Sequence, residues 1–425
     1  MSTSPVKSAQ PFHVVGIGAG PANLSLAALY GRAGRPGGLA LFDSAPGPRW
    51  HPGLLFAGAR LQTSWVKDLV SLVDPSNPLS FLNYLVTTGR LFSYLNAQFE
   101  ETPRAQYVAY LKWAAGQLPV RYRAQVESVT YDETEGLFRL HSPDGLLAAS
   151  RHLILGVGTR AYVPECFRDA DSPRVLLAEE LTDRQDAISA ETSVTVVGGG
   201  QTGAECVQEL LNRGCTRLSW IGRRPSFAPM DDSPSANDYF RPAYQQHFQQ
   251  YSSELRRSTA SGQALTSDGI SMSTLRGIYQ HVYEAELKPE HSPLTMYPGR
   301  DVVSVKAGDS GLDLKCSLAT GANEHHSAEY AVLATGRRPT PMPLHDALAA
   351  LIETGDDGLP VIAPDYSLRW KSSAENKIYV QNRSRYVHGI ADPNLSLLAV
   401  RSAIILNSLF EKELYAIRDE SPATV

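Results

Sequence analysis

The chain has 425 residues, 43% hydrophobic and 20% charged, a globular composition long enough for two or three domains. A formal net charge of -5 with no block of like charges provides no basic track for nucleic-acid phosphates, and the polar start, residues 1–10, lacks the apolar core of a signal peptide or membrane span, so a cytoplasmic protein without nucleic acid or membrane as partner is expected. Cys166, Cys206, Cys215 and Cys316 lie far apart with no C-x-x-C spacing, which argues against a zinc site or a redox dithiol, and no metal is expected.

The first predicted element is the apolar run Phe12-His13-Val14-Val15, broken by Gly16, Gly18 and Gly20 and followed from Pro21 to Leu29 by a helical pattern, the opening of a βαβ unit. Leu39-Ala40-Leu41-Phe42 reads as its second strand and ends in Asp43. A helix is expected over 107–118, a small antiparallel sheet over 126–140, and a strand over 152–158 returning to the first sheet. The opening plan then repeats: Val194-Thr195-Val196-Val197 leads through Gly198, Gly199 and Gly200 into a helical stretch ending near Leu211, and a second strand spans 217–222. Helical stretches at 239–255 and 273–287 assign the polar, proline-bearing region 226–299 to an inserted helical subdomain. A strand over 330–336 closes the second unit, and the apolar helical spacing of 395–414 is expected to pack back on the first. The fold expectation is therefore α/β, with two Rossmann-like dinucleotide-binding domains and a small helical substrate subdomain. Residues 1–170 and 340–425 form the first, discontinuous domain, and 171–339 the second with its insert.

In such a fold the first glycine permits a tight turn, the second lets a pyrophosphate approach the backbone, and the helix N-terminus supplies amide donors and a positive dipole. Read on G-x-G-x-x-G, the first loop puts Gly16 and Gly18 in the leading places and Pro21 in the third, where a helix start tolerates proline because its missing donor is not needed. Asp43, at the end of the second strand, is placed to accept a ribose hydroxyl. The second loop matches the strict pattern with Gly198, Gly200 and Gly203. Its second strand ends in Arg223 and Arg224 rather than an acid, and arginine there suits a 2′-phosphate; this points to NADPH, the alternative being two solvated surface arginines. Two such folds in one chain imply hydride flow from a nicotinamide to a flavin, which then passes on electrons or meets oxygen. Disulfide reductases share this plan but need a cysteine pair soon after the first fold, and none is present.

Further segments follow in a telling order: Trp50-His51-Pro52-Gly53, then Leu61-Gln62-Thr63-Ser64-Trp65-Val66-Lys67-Asp68-Leu69-Val70, Asp74-Pro75 and Phe81-Leu82-Asn83-Tyr84-Leu85. Gln201 follows the second loop, and after it come Asn237-Asp238-Tyr239-Phe240, Thr266-Ser267-Asp268-Gly269-Ile270, Ala334-Thr335-Gly336 and His388-Gly389-Ile390-Ala391-Asp392-Pro393 with Leu395-Ser396-Leu397. Over about Val14 to Asn407 the chain resembles the microbial N-hydroxylating flavoprotein monooxygenases of siderophore biosynthesis, and is most similar to their lysine and diamine branch.

The resemblance implies FAD in the first domain, NADPH in the second, and an amine substrate in a cleft between these and the insert. Carried over by motif, Trp50, His51 and Gln62 fall in the flavin site, with Gln62 beside the reactive flavin carbon, and Gln201, Ala334, Thr335 and Gly336 join the cofactor set. Lys67 binds the polar end of the substrate, and Asn237 lies in a segment that reaches it. The segment 388–396, with Asp392, Pro393, Leu395 and Ser396, closes over the flavin, Ser396 also facing the substrate. Oxygen adding to the reduced flavin gives a hydroperoxide that hydroxylates the terminal amine of lysine, cadaverine or putrescine. An alkylammonium of pKa about 10.4 has no lone pair, so the site must bind or generate the neutral amine. Thr266-Ser267-Asp268-Gly269 stands where ornithine-specific members carry an asparagine-rich turn, and Arg337 where many relatives carry an aromatic. A homodimer or homotetramer is implied by the resemblance alone.

Other readings stay open at this point. Ornithine is an alternative substrate, a sulfur or ketone an alternative reaction, and a non-enzymatic flavin- or NADP-dependent sensor needs only the fold. Gln62 is equally an amide bonded to backbone, His51 a packed histidine, Lys67 a surface lysine, and Asn237 a cap for a helix beginning near Tyr239.

Overall fold

The computed structural model describes residues 10–33, 37–287, 292–371 and 374–419. Its first sheet grows from β1 (Phe12–Ile17), whose last four residues are buried, as in a strand covered on both faces. β1 pairs in parallel with β2 (Leu39–Phe42), and β2 with β3 (Val120–Arg121). Beyond β1 come β4 (Ser128–Asp132), β5 (Leu137–Ser142) and β6 (Gly145–Leu155), in the order β3-β2-β1-β6-β5-β4. β6 begins at Gly145 and stops at Leu155, and the strand expected over 152–158 is the end of this longer strand. Its first half is antiparallel to β5 and its second half parallel to β1, with Ser150 facing Phe12 on one side and Phe138 on the other. Alternating burial in the first half gives way to three consecutive buried residues at the end, and that change of pattern hides the continuity.

The chain leaves this sheet through β7 (Thr159–Ala161) and enters a second, wholly parallel sheet at β8 (Val175–Leu177). β9 (Val194–Val197), β10 (Leu218–Gly222) and β11 (Leu294–Pro298) follow; a meander of β12 (Arg300–Ala307), β13 (Leu312–Leu318) and β14 (Asn323–Ala328) intervenes before β15 (Tyr330–Leu333) completes the order β11-β10-β9-β15-β8. β11 corrects the expectation of an all-helical 226–299. Its five residues pair with β10, so the helices of the insert occupy Pro234–Asn237, Pro242–Gln249, Ser253–Gly262, Ala264–Asp268 and Met272–Glu286. The meander was not anticipated from sequence.

The chain returns through β16 (Arg337–Pro339), antiparallel to β7, and adds β17 (Ile378–Val380) in parallel to β6. All ten residues of the helix Pro21–Tyr30 are buried between the first sheet and the C-terminal helix Leu398–Leu409, in one cluster with Leu24, Leu26, Leu29, Ile405 and Leu406. Leu26 is fully enclosed, and truncating it to alanine should cost about 2–5 kcal/mol. Among the described residues no helix is long and apolar enough to cross a membrane.

Candidate functional site

The two glycine loops leave the carboxyl ends of β1 and β9, where ligands bind in doubly wound sheets. At Gly18 (φ 91°) a Cβ would lie 2.3 Å from the carbonyl oxygen of Gly156, and at Gly198 (φ 139°) 2.1 Å from that of Ala334; both turns require glycine. Gly20 and Gly200 cap the two helices with extended backbone and have open space before them: no atom within 4 Å of a Cβ at Gly20, and only the Asp268 carbonyl, at 3.9 Å, at Gly200. The register of the first loop is therefore Gly18, Gly20 and Asn23. Gly16 lies inside β1, two residues before the turn, where a Cβ would meet Leu41 at 2.4 Å, and Pro21 is the first helical residue. Asn23 replaces the third glycine: its Nδ2 donates to Gly18 O at 2.8 Å and Ile17 O at 3.1 Å, whereas a Cβ at Gly203 would strike Gly198 O at 2.1 Å. Asp43 follows β2, its carboxylate accepting from the amides of Ala19 at 2.7 Å and Ala45 at 2.8 Å, which ties the strand end to the loop.

A cleft of about 1000 Å³ opens in front of the second loop, lined by Gly198, Gly199, Gly200, Gln201, Ala334, Thr335 and Gly336 and by six arginines. Three of these already meet carboxylates: Arg300 meets Glu324, Arg337 meets Glu179, and Arg385 meets Asp268. Arg338 lies over the Tyr162 ring, 3.7 Å from its centroid. Arg223 and Arg224, just past β10, meet no carboxylate among the described residues; Arg224 reaches only Asp268 O, at 3.4 Å. A helix start, an open glycine and two guanidiniums that meet no carboxylate among the described residues give the cleft the chemistry to accept an anionic ligand.

Between the loops runs a polar junction. Gln62 Nε2 donates to Ser271 Oγ at 3.1 Å and, more weakly, to Gln201 Oε1 and Gly269 O, both at 3.4 Å. Gln201 accepts the Ser271 amide at 2.8 Å and donates to Glu205 Oε1 at 3.0 Å, and Glu205 is paired with Arg104. Beside it, His51 sits in the left-handed region (φ 44°, ψ 52°), a conformation costly outside glycine. Its ring packs 4.9 Å from that of Trp50, which itself contacts Tyr107. Burial first, then the nearby Arg337 and Arg104, lower the His51 pKa to about 4, so the imidazole is neutral at ordinary pH. Gly53 is held by space: a Cβ there would fall 1.7 Å from Glu179 O.

The loop 62–67 fans toward every neighbour. Gln62 turns to the second unit, Thr63 Oγ1 lies 3.2 Å from Ser396 Oγ, and the Lys67 ammonium sits 5.7 Å from the Phe240 ring centroid of the insert. The loop is fixed from below by buried Asp68, whose carboxylate accepts the amides of Val70, Ser71 and Phe81 and the Ser71 hydroxyl. Lys67 is half-buried, its pKa is lowered by desolvation, and among the described residues its ammonium meets no carboxylate.

Asn237 stands at the N-cap position of the turn Asp238–Phe240 that carries Phe240, but its side chain makes no capping bond there: its Nδ2 donates back to the carbonyls of Asp232 and Ser233, and Ser233 caps the preceding helix Pro234–Asn237. Asp392 turns its carboxylate inward, to Arg401 at 3.0 Å and to the Ser384 amide at 2.8 Å. Pro393 precedes Asn394, which caps the short turn Leu395–Leu397 by accepting the Ser396 amide at 2.9 Å. Asn23, Arg104, Glu205 and Ser271 belong to this arrangement and were not singled out from sequence. Asn23 alone had a signal, since it stands five residues after Gly18 as Gly203 does after Gly198.

The family model described as L-lysine 6-monooxygenase/L-ornithine 5-monooxygenase matches residues 10–339. The L-lysine N6-monooxygenase of Escherichia coli is 34% identical over 411 residues, covering 94% of this chain and 95% of its own. Among solved structures, the FAD-bound cadaverine monooxygenase of desferrioxamine biosynthesis from Erwinia amylovora superposes with a TM-score of 0.90 at 26% identity, covering 96% of this chain and 97% of that one. An ornithine N-hydroxylase of Kutzneria sp. 744, with reduced FAD, NADP+ and L-ornithine, gives 0.86 at 25%, covering 94% and 99%.

Proposed function

The chain belongs to the L-lysine 6-monooxygenase/L-ornithine 5-monooxygenase family, and from that premise we propose that it hydroxylates the terminal primary amine of L-lysine or of an aliphatic diamine such as cadaverine or putrescine, for a hydroxamate siderophore, using FAD at the first glycine loop and NADPH at the second. When bound, FAD reduced by NADPH activates dioxygen and supplies the electrophilic oxygen that the amine nitrogen attacks. The protein residues bind, orient and exclude water.

Gly20 and Gly200 leave the helix amides of Pro21–Tyr30 and Gln201–Asn212 open to a pyrophosphate. Asp43 takes a ribose hydroxyl, and Arg223 and Arg224 take the 2′-phosphate of NADPH. Trp50 and neutral His51 wall the junction without adding charge. Gln62, on the first unit, is tied by its Nε2 to the start of the helix behind the second loop and to Ser271, and its Oε1 is available to orient the amine or oxygen. Ser396 and the segment around Asn237 bound the amine site beside Lys67.

The observation that carries the reading is the loop 62–67, which reaches the second glycine loop through Gln62 and the insert through Lys67. The Lys67 ammonium, which meets no carboxylate among the described residues, favours a substrate that brings one, and this ranks lysine ahead of a diamine. The test is hydroxylamine formation by purified FAD-loaded protein with NADPH, run in parallel on lysine, ornithine, cadaverine and putrescine. Product from lysine or one of the diamines supports the proposal. Product from ornithine alone, or peroxide with all four and no hydroxylamine, refutes it.

A further inference from the structure

Arg104 stands on the helix Arg104–Ala115 packed against the first sheet; Glu205 stands on the helix that begins at the second glycine loop. Their side chains are 12% and 5% exposed and joined twice, Nη2 to Oε1 at 2.6 Å and Nη1 to Oε2 at 2.9 Å. Arg104 Nη1 also donates to Leu54 O at 2.7 Å, and Glu205 Oε1 also accepts from Gln201. We propose that Glu205 is a positioning residue: through Arg104 it sets the seat of the second glycine loop against the first unit, and so fixes where the dinucleotide in the cleft presents its hydride. The proposal rests on the two-cofactor reading above.

Three observations carry it. A buried ion pair is a poor source of stability, because desolvation offsets the attraction and well-packed apolar replacements are often as stable; what the forked pairing adds is direction, since two parallel bonds fix angle as well as distance. Glu205 lies one turn beyond Gln201 on the same helix face and five residues from Gly200, so any shift of the pair moves the loop as a rigid body. Among the described residues the chain itself passes between the two sheets only at β7 and β16, a ribbon of three residues a side, so any pivot of the second unit is limited by contacts across the boundary: the Gly53 backbone against Glu179, the Gln62 bonds and this buried ion pair. Hydride transfer is sensitive to such a pivot, a misplacement of about 1 Å being enough to slow a reaction roughly a hundredfold.

The test uses the FAD-loaded full chain and two variants, Glu205→Gln and the double variant Arg104→Met with Glu205→Leu. Removing one partner strands a buried charge and lowers stability, whereas removing both does not, so the double variant separates folding from positioning. The double variant is expected to melt close to the wild-type temperature and above Glu205→Gln, to keep its FAD, and to bind NADPH with little change. Anaerobic reduction of its flavin by saturating NADPH should nevertheless slow by roughly tenfold to a hundredfold. Amide exchange at Ser271, whose N–H donates to Gln201, should quicken in both variants even without cofactors. Reduction at the wild-type rate, or a slowing that only tracks lost FAD or lost NADPH affinity, overturns the proposal. If NADPH fails to reduce the wild-type flavin at all, the two-cofactor reading falls and takes the proposal with it.

Discussion

At Gly18 and Gly198 the backbone makes the same left-handed turn, and at Gly20 and Gly200 it opens the same helix start; the surroundings then diverge. Behind the first loop all ten residues of the helix are buried, and the carboxylate of Asp43 closes over the turn. Behind the second, only part of the helix is buried, the third position is bare glycine, and a wide cleft with uncompensated arginines lies open. One loop is set into the core and the other into a groove. That contrast fits a cofactor kept in place by the first and a charged cosubstrate exchanged at the second.

The harshest way to probe the comparison is to add a side chain at the turns. Gly18→Val and Gly198→Val each drive a Cβ into backbone carbonyl and strain a positive φ, so each should lose about 4 kcal/mol or more in chemical denaturation. Wild-type stability in either variant would mean that the shared turn is misread. Next in size, Lys67→Ala should lower kcat/KM for lysine by about a hundredfold, in keeping with loss of a charge-assisted contact, while FAD content holds and a diamine suffers less. An equal loss for lysine and cadaverine would detach Lys67 from the carboxylate. Smaller again, Arg223→Ala and Arg224→Ala should each shrink the preference for NADPH over NADH by about tenfold in steady-state assays. A wild-type enzyme indifferent between the two would remove that role altogether.

A pH-dependent effect concerns the junction. His51 has its pKa lowered to about 4, so below its usual 6.5 the unfolded chain takes up a proton that the folded one refuses. Stability is fully present above pH 6.5 and falls as the pH drops toward 4, by on the order of 3 kcal/mol. His152, also lowered to about 4, acts in the same direction. His51→Gln should flatten part of this slope in pH-dependent melting, and an unchanged slope would place the effect elsewhere.

Much of the first-order plan was legible because periodic burial writes itself into composition: β1, β2, β9 and β10 are apolar runs, and Arg223 and Arg224 stand just past a strand end. The first loop was read two residues early because Gly16 completes a G-x-G with Gly18; only the collision with Leu41 reveals it as a strand glycine. β11 was lost inside the insert because five residues between a helix and the strand β12 carry too little pattern. Asn237 stands where a cap for the turn at Asp238–Phe240 belongs, yet its amide donates back to the carbonyls of Asp232 and Ser233 instead of accepting from that turn. Arg104 and Glu205 left no trace at all, being 101 residues apart in chain and brought together only by the packing of two units.

The contrast between the loops can be tested at the two open positions, where a side chain displaces ligand rather than protein. Gly20→Val and Gly200→Val should both fold. With Gly200→Val the purified protein should keep its FAD and visible flavin spectrum and be reduced by dithionite, but lose anaerobic reduction by NADPH; Gly20→Val should lose the FAD itself. Loss of flavin from Gly200→Val, or full flavin retention by Gly20→Val, would contradict the division of labour proposed for the two loops.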